Sequence, residues 1–439
     1  MSTTHYDVII VGGRLAGSTL AARLGQQGLR VLLLERAKMP SLPGASSPII
    51  YASTMEILDE IGADESVYAR NTPKIHRLIN ITPEMRADIA IPMAHGRDYA
   101  YAIDRARFDG ALWQHALSFP TVDGRDNYSV VDLVWDRVRV AGVVGQGAEG
   151  TRETITADLV VGADGRFSTV ARAVKAGERD HDLEYPTTLY YAYWKNAAPF
   201  DDKGAAAVAY SEGKGYGFLM MDSADDTLAV AVEGQAEKLT AAPGQVEEFY
   251  LDLLLNHPFV WQRLEHAERV TEVRGMKRIG NLYRDSGGLG WALVGDAYHQ
   301  KDPIDGQGIY DAVFTAKLLA QAIDDWKAGR KLWDEALVWY DENARAQTYP
   351  MYRATIERVR NTLYPRTPKW FNEFSERTWL RWLLQDPLYQ EQIGMMLTRQ
   401  ISPEEMMSPP IIVGALLRGP LRDLSRFLEK QIGEEPVLE

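Results

Sequence analysis

Residues 6–35 read YDVIIVGGRLAGSTLAARLGQQGLRVLLLE, and this stretch decides the fold class. Its two ends, residues 6–11 and 29–34, are apolar runs, which are typical of strands buried on both faces of a parallel sheet. Between them lie a glycine-rich turn and a run of helix-forming residues. The pattern predicts a strand–helix–strand unit. Glu35 follows Gly12 at about the 20-residue spacing at which a carboxylate binds the hydroxyls of a nucleotide ribose.

We call residues 12–17 the glycine loop. In a nucleotide-binding turn of this kind, the middle glycine lets the backbone approach a pyrophosphate, and the following helix presents unpaired N–H groups. Here Gly12, Gly13 and Gly17 are present, but Arg14 replaces the middle glycine. The Arg14 guanidinium is suited to pairing with phosphate. The alternative is an arginine exposed to solvent at the loop surface.

A second motif follows the predicted buried strand at residues 157–161, where the chain continues as Gly162-Ala163-Asp164-Gly165. Ligands of open α/β sheets bind at the carboxyl ends of the strands, which makes Asp164 a candidate binding residue. The alternative is an ordinary Asp-Gly turn between a strand and a helix.

A third motif follows the predicted strand at residues 291–294, which ends in Gly295-Asp296. Pro303 and the run Gly306-Gln307-Gly308 then lead into a long predicted helix. Such a loop directs backbone donors and the positive end of a helix dipole at a ligand that gains negative charge. Asp296 is placed to accept hydrogen bonds from a polyol.

Composition limits the class of protein. A chain of 439 residues suggests about three lobes, and 46% hydrophobic with 25% charged residues is ordinary for a globular protein. A net charge of −13 disfavours binding to nucleic acid or anionic membranes. The absence of cysteine excludes disulfides, thiolate catalysis and cysteine-ligated metals, and no metal site is expected. With no long apolar run and no leader-like start, we expect a soluble, cytoplasmic protein without stable membrane insertion.

In this order and at these separations, the motifs resemble those of the FAD-dependent aromatic hydroxylases of the para-hydroxybenzoate hydroxylase type, the class A flavoprotein monooxygenases. The matching features are the strand–helix–strand unit with Glu35, Asp164-Gly165, Gly295-Asp296 and the Pro303 loop. Residues 103–109 resemble the family's arginine-bearing helix start. The resemblance anchors residues 1–325.

The resemblance implies an α/β fold with a discontinuous Rossmann-like FAD-binding domain, an inserted β-rich substrate domain and a C-terminal helical extension. The predicted segments are residues 1–75, 100–180 and 275–330 for the FAD-binding domain, 76–99 and 181–274 for the substrate-binding sheet, and 331–439 for the C-terminal helical region.

The resemblance also implies roles for single residues. Glu35 would bind the adenosine ribose, Arg105 the phosphate or ribityl region, and Asp164 both FAD and, transiently, the nicotinamide cofactor. The predicted cofactor-binding set is Gly12, Gly13, Arg14, Ala16, Gly17, Glu35, Arg36, Arg105, Asp164, Gly295, Asp296, Pro303, Gly306, Gln307, Gly308 and Ile309.

The implied activity is hydroxylation of an aromatic or polycyclic small molecule: NADPH or NADH reduces FAD, and oxygen is transferred from a flavin C4a-hydroperoxide. Catalytic candidates are His299, which could relay a proton, and Pro303, beside the isoalloxazine; the alternative for His299 is a structural imidazole. The expected partners are this substrate and O2, with a monomer or homodimer as the assembly. Alternatives are a reductase or halogenase of the same fold, or a flavin-binding protein without turnover. The Trp-x-Trp-x-Ile-Pro signature of the halogenases is absent.

The candidate substrate-binding residues lie in a predicted β region. In residues 189–194 (LYYAYW), alternation places Tyr191 and Tyr193 on one face of a strand, where they could line a pocket for a flat apolar substrate. Similar reasoning on the neighbouring run 217–221 adds Phe218 and Met220. The alternative is ordinary packing of two sheet faces.

Overall fold

The computed structural model describes residues 5–44 and 47–433, and side chains up to residue 429. The strands in chain order are β1 (His5–Val11), β2 (Val31–Leu34), β3 (Ile49–Ile50), β4 (Arg77–Thr82), β5 (Met85–Ala90), β6 (Tyr101–Ala102), β7 (Val122–Arg125), β8 (Ser129–Asp136), β9 (Arg139–Gln146), β10 (Arg152–Gly162), β11 (Glu178–Lys195), β12 (Ala207–Ser211), β13 (Tyr216–Asp222), β14 (Thr227–Gln235), β15 (Glu268–Arg269), β16 (Arg274–Arg284), β17 (Gly287–Gly288), β18 (Trp291–Leu293) and β19 (His299–Gln300).

The helices in chain order are α1 (Leu15–Gln26), α2 (Ala52–Glu60), α3 (Glu65–Tyr68), α4 (Arg105–Leu117), α5 (Thr169–Val174), α6 (Val246–Leu255), α7 (Pro258–Leu264), α8 (Gly308–Lys327), α9 (Trp333–Leu363), α10 (Lys369–Arg377), α11 (Trp379–Leu384), α12 (Pro387–Leu397), α13 (Pro403–Met406) and α14 (Pro409–Gly433).

The first sheet is built around parallel strands in the order β18-β10-β1-β2-β7. Its centre is formed by the apolar runs that the sequence predicts, and Ile9, Leu32 and Val160 are fully buried. Helices α1, α4 and α8 pack around this sheet. Strands β8 and β9 add an antiparallel meander to β10. The predicted Rossmann-like architecture is confirmed.

The second sheet has the order β19-β16-β11-β14-β13-β12-β4-β5, with β15 beside β11. It is a separate, largely antiparallel sheet, as predicted. Strand β16 belongs to it through residue 284, so the domain boundary predicted between residues 274 and 275 is misplaced. The predicted boundary falls at the first residues of β16, and the glycine-rich break at Gly287, Gly288 and Gly290 comes only after this strand.

The two faces of the second sheet pack against different parts of the molecule. One face carries Tyr191, Ala229 and Ala231 and packs with residues of β3, α9 and α12. We call it the inner face. The other face, with Tyr190 and Val232, is covered by α6 and α7.

The chain after α8 is helical throughout its described part, as predicted. Helix α9 packs along α8, and α12 packs on β5. The last residues of α12, Met396 and Leu397, join the apolar cluster on the inner face. Among the described residues, no helix is both long and apolar enough to cross a membrane.

Candidate functional site

The three sequence motifs meet at the carboxyl end of the first sheet. A Cβ atom on Gly12 would lie 2.3 Å from the carbonyl oxygen of Ala163, in the second motif. A Cβ atom on Gly295, in the third motif, would lie 2.9 Å from the Cβ of Ala16. Gly17 is equally constrained, since its Cβ would lie 1.8 Å from the carbonyl oxygen of Gly12. These glycines therefore bring three distant segments into one site.

The N-terminus of α1 is open toward this site. Arg14 precedes the helix without capping it through its side chain, and the first turn contains no acidic residue. The first N–H groups of a helix have no partners within the helix, and they attract anions together with the helix dipole. This end of α1 is suited to a pyrophosphate.

Glu35 lies at the end of β2 and is 5% exposed. Its carboxylate accepts hydrogen bonds from the backbone N–H of Gly13 (2.9 Å) and of Ala37 (2.9 Å). Each carboxylate oxygen keeps acceptor capacity for a ribose hydroxyl. The following residue, Arg36, is exposed. Trp113 of α4 packs against Gly13, where a Cβ would lie 2.3 Å from the indole ring.

Arg14 is bound to the protein and does not extend into solvent. Its guanidinium donates to the carboxylate of Asp109 at 2.7 Å and to the carbonyl oxygen of Ser41 at 2.8 Å. Arg105 donates to the same carboxylate at 3.1 Å, and Asp109 is fully buried. The solvent-exposed alternative for Arg14 is therefore wrong, and its contact with a pyrophosphate stays a prediction. Sequence reasoning missed Asp109, although its i,i+4 spacing from Arg105 on a helix was a usable signal.

The two aspartates of the second and third motifs have different surroundings. Asp164 accepts hydrogen bonds from the Ser168 hydroxyl (2.5 Å) and the Thr169 N–H (2.6 Å), so it holds the start of α5. Burial raises the pKa of Asp164. Asp296 is 42% exposed at its side chain and lies 4.0 Å from the guanidinium of Arg166. Asp296 is thus available to a ligand, whereas the cofactor contacts of Asp164 stay a prediction.

The 303–308 loop leads into α8, and the backbone N–H groups at the N-terminus of this helix are open to a ligand. Pro303 begins a single 3-10 turn, and Gly306 adopts a left-handed conformation with φ +63°. Gln307 and Ile309 are buried, yet a Cβ on Gly308 would meet nothing within 4 Å. No side chain caps the N-terminus of α8. The loop therefore presents backbone donors beside open space, which fits the edge of a flat, electron-accepting ring.

A cluster of charged side chains lies behind this loop, and we call it the Asp311 cluster. The carboxylate of Asp311 is 2.5 Å from the Lys301 amine, 2.9 Å from the Arg399 guanidinium and 3.3 Å from Nε2 of His299. All four side chains are at most 5% exposed. Burial alone would raise the pKa of Asp311, but Lys301 and Arg399 hold it well below its usual range. Burial lowers the pKa of Lys301, and Asp311 opposes that shift.

His299, the predicted proton relay, is part of this cluster. Its ring stacks on Tyr283 at 4.7 Å between centroids, and its Nδ1 is buried without a hydrogen-bond partner among the described residues. A role in proton transfer stays a prediction.

A second pair of acidic groups lies between the 303–308 loop and the inner face. Asp302 accepts a hydrogen bond from the Thr187 hydroxyl, and its N–H donates to Asn281 at 2.8 Å. Glu233 of β14 has a buried Oε1 with no hydrogen-bond partner in the described part of the chain. Burial and the neighbouring Asp302 raise the pKa of Glu233 well above its usual range. Burial and the nearby carboxylate of Asp302 therefore favour the protonated form of Glu233, at the loop end of the sheet. Sequence reasoning missed it, because β14 reads as an ordinary apolar strand.

The four predicted substrate residues do not lie together. Tyr191 and Tyr193 are on the inner face, and their hydroxyls donate to the carbonyl oxygens of Pro43 (2.7 Å) and Ile103 (3.2 Å). Phe218 and Met220 are on the opposite face, among residues that α6 and α7 cover. The prediction that they line the same pocket is wrong because Phe218 pairs with Val232, which places Leu219 and Met221 on the inner face instead.

Comparison with known proteins agrees with this geometry. Residues 5–346 match the family model described as FAD binding domain. The chain belongs to this family. The family therefore supports FAD as the cofactor, and the glycine loop, Glu35, Asp296 and the 303–308 loop would hold its pyrophosphate, ribose, ribityl and ring portions. The resemblance to class A FAD-dependent monooxygenases is confirmed.

Three curated relatives show how varied the chemistry of such proteins is. The chain is 24% identical over 334 residues to 1H-pyrrole-2-carbonyl-[peptidyl-carrier protein] brominase of Pseudoalteromonas luteoviolacea, covering 73% of this chain and 79% of the relative. It is 27% identical to digeranylgeranylglycerophospholipid reductase of Methanosphaerula palustris (78% and 82% covered). It is 23% identical to the ubiquinone biosynthesis monooxygenase COQ6 of Caenorhabditis elegans (74% and 80% covered).

The fold itself is matched over almost the whole chain by a solved structure. The flavin-dependent brominase Bmp2 superposes with a TM-score of 0.76 at 19% identity, covering 96% of this chain and 100% of the other. Together these comparisons establish a flavin-dependent oxidoreductase. They do not decide the reaction type, because the relatives catalyse different reactions.

Proposed function

We propose that the protein is an FAD-dependent monooxygenase that hydroxylates a flat, largely apolar small molecule with electrons from NADPH or NADH. In the overall reaction, one C–H bond of the substrate becomes C–OH. One atom of O2 enters the product, and the other leaves as water. NAD(P)H supplies the two electrons and one proton, and a second proton comes from solvent.

The observation that carries this proposal is the chemical character of the inner face opposite the 303–308 loop. It presents the phenol rings of Tyr191 and Tyr193 beside the small side chains of Ala229 and Ala231. Both rings are buried, and both tyrosine hydroxyls donate to backbone carbonyls, so this part of the inner face is aromatic with its polar groups already satisfied. Burial raises the pKa of Tyr191 to about 12, so its phenol is neutral. Such a surface suits an aromatic substrate better than a charged one.

The residues around the site have distinct tasks in this proposal. The bound FAD would supply electron transfer and oxygen activation. The N–H groups at the start of α8 favour negative charge on the ring edge. Met351 and Met396 pack over the inner face from the C-terminal helices and would exclude water. Glu233, whose buried Oε1 has no hydrogen-bond partner among the described residues, lies next to the 303–308 loop and would exchange a proton with a phenolic substrate there.

Halogenation is the second candidate, and the similarity to curated halogenases favours it. The two functions differ in what enters the product: oxygen from O2 alone in the first case, and a halide ion from solution in the second.

The test uses the full chain loaded with FAD. A panel of phenols and polycyclic aromatics is screened for faster NAD(P)H oxidation, with and without bromide, under isotopically labelled O2. The proposal predicts a substrate that accelerates NAD(P)H oxidation without bromide and gains one labelled oxygen. A product that carries bromine would establish the second candidate instead. Reduction of the substrate without O2 consumption would indicate a reductase.

A further inference from the structure

We infer that Arg399, in the C-terminal region, is a positioning residue for the flavin site that locks the 303–308 loop through Gln307 and Asp311. This inference rests on the proposed function only in that the 303–308 loop must face FAD. The match to the family model ends at residue 346, so Arg399 lies outside the matched part of the chain.

The side chain of Gln307 is held at both ends by the segment around Arg399. Nε of Arg399 donates to Oε1 of Gln307 at 2.8 Å, and Nε2 of Gln307 donates to the carbonyl oxygen of Leu397 at 3.1 Å. A second guanidinium nitrogen donates to Asp311 at 2.9 Å. The guanidinium also lies 4.6 Å from the centre of the Tyr310 ring. The middle residue of Gly306-Gln307-Gly308 is therefore fixed from outside the loop.

The backbone of Arg399 supports a role for its side chain. Helix α12 ends with hydrogen bonds from the Arg399 N–H to Met396 (3.1 Å) and from the Gln400 N–H to Met395 (2.8 Å). Arg399 has φ +60° in this turn. Glycine is the preferred residue at this position of a helix end, because a side chain is strained in the left-handed conformation. Glycine would keep both backbone bonds, so only the contacts of the guanidinium account for an arginine here.

The charge of Arg399 has a second consequence. Arg399 and Lys301 both contact the carboxylate of Asp311 behind the N-terminus of α8, while the buried carboxylates of Asp305 and Asp302 lie on the 303–308 loop and beside it. Reduced flavin is anionic at its ring edge, whereas oxidised flavin is neutral there. We therefore expect that removing the charge of Arg399 would disfavour the reduced form of the cofactor and lower its reduction potential.

The experiment compares Arg399→Gly and Arg399→Lys with the parent chain. Three quantities are measured: the temperature of apoprotein unfolding, the FAD dissociation constant from fluorescence titration, and the midpoint potential of bound FAD. Lys175→Gly is the matched control, because Lys175 also occupies a left-handed helix end, with φ +55°, and its side chain is exposed.

Arg399→Gly relieves backbone strain but takes one charged partner from the buried carboxylate of Asp311, so its apoprotein should unfold at a somewhat lower temperature than the parent. It should bind FAD about tenfold more weakly, the scale of a lost charged hydrogen bond, and show a lower potential. If binding of reduced FAD weakens tenfold more than binding of oxidised FAD, the midpoint potential falls by about 30 mV for a two-electron couple. Arg399→Lys should restore the potential but only part of the affinity, since an amine cannot bridge Gln307 and Asp311 as a guanidinium does. Lys175→Gly should change neither quantity.

Two results would overturn the inference. One is an Arg399→Gly protein with the affinity and potential of the parent. The other is an Arg399→Gly protein that binds FAD more weakly but, once saturated with FAD, has the midpoint potential of the parent, which would make the role purely structural. If the parent chain itself bound no FAD, the proposed function would fail instead, so the two failures are distinguishable.

Discussion

Replacing Gly308 with alanine should separate folding from FAD binding. Apart from the backbone of its own helix, no atom of the described chain lies within 4 Å of the position that the new methyl group would take, and Gly308 is not in the left-handed region. Alanine restricts the unfolded chain and favours a helix, so Gly308→Ala should stabilise the apoprotein by about 0.5–1 kcal/mol.

The same methyl group would project into the space assigned to the isoalloxazine edge. Inserting a methyl group into a close contact typically costs about 1–3 kcal/mol, which corresponds to roughly a 5- to 150-fold weaker FAD complex. Gly308→Val should weaken the complex further. Stability and affinity are thus expected to move in opposite directions.

Gly147→Ala is the control, because Gly147 is outside the left-handed region and its Cβ would make only ordinary contact with the Tyr128 ring, at 3.8 Å or more. The assays are urea unfolding of each apoprotein and fluorescence titration with FAD. Both variants should gain stability, and only Gly308→Ala should lose affinity. Gly308→Ala protein that binds FAD as tightly as the parent would refute the placement of the flavin ring against α8.

Other variants address the remaining contacts. Arg14→Ala should lower the free energy of unfolding by about 1–3 kcal/mol, because the buried carboxylate of Asp109 loses a charged partner; urea unfolding that matches the parent would contradict this. Phe218→Ala should cost about 3–5 kcal/mol of stability without changing the substrate concentration for half-maximal NAD(P)H oxidation, whereas Leu219→Ala, on the inner face, should raise that concentration. The reverse pattern would show that the sheet faces are misassigned. The pKa of Glu233 is higher in the folded chain than its ordinary 4.5, so the stability it contributes is full below pH 4.5 and is lost as pH rises toward the folded pKa. Unfolding temperatures of Glu233→Gln should therefore equal those of the parent near pH 4.5 and exceed them increasingly at higher pH; a difference that does not grow with pH would contradict a raised pKa.

The parts of the fold that depend on local sequence could be predicted. The strand–helix–strand unit, the glycine loop and the two Gly/Asp motifs are continuous patterns whose strands carry their own apolar signal. Their convergence followed from the rule that the carboxyl ends of parallel strands meet at one edge.

The parts that depend on distant contacts could not be predicted. Arg399 meets Asp311 across 88 residues, and nothing local in either segment indicates the other. The orientation of β13 also escaped prediction, because Phe218, Met220 and Met221 are all buried, so hydrophobicity does not alternate between its faces.

The identity of the product formed under isotopically labelled O2 tests the central claim most directly. The measurement uses FAD-loaded protein, NAD(P)H and the first aromatic compound that accelerates NAD(P)H oxidation, in buffer that contains bromide. The account predicts a product with one labelled oxygen and no bromine, formed in proportion to the NAD(P)H oxidised. A brominated product, an unlabelled product, or a panel in which no compound accelerates NAD(P)H oxidation by the flavin-loaded chain would contradict it.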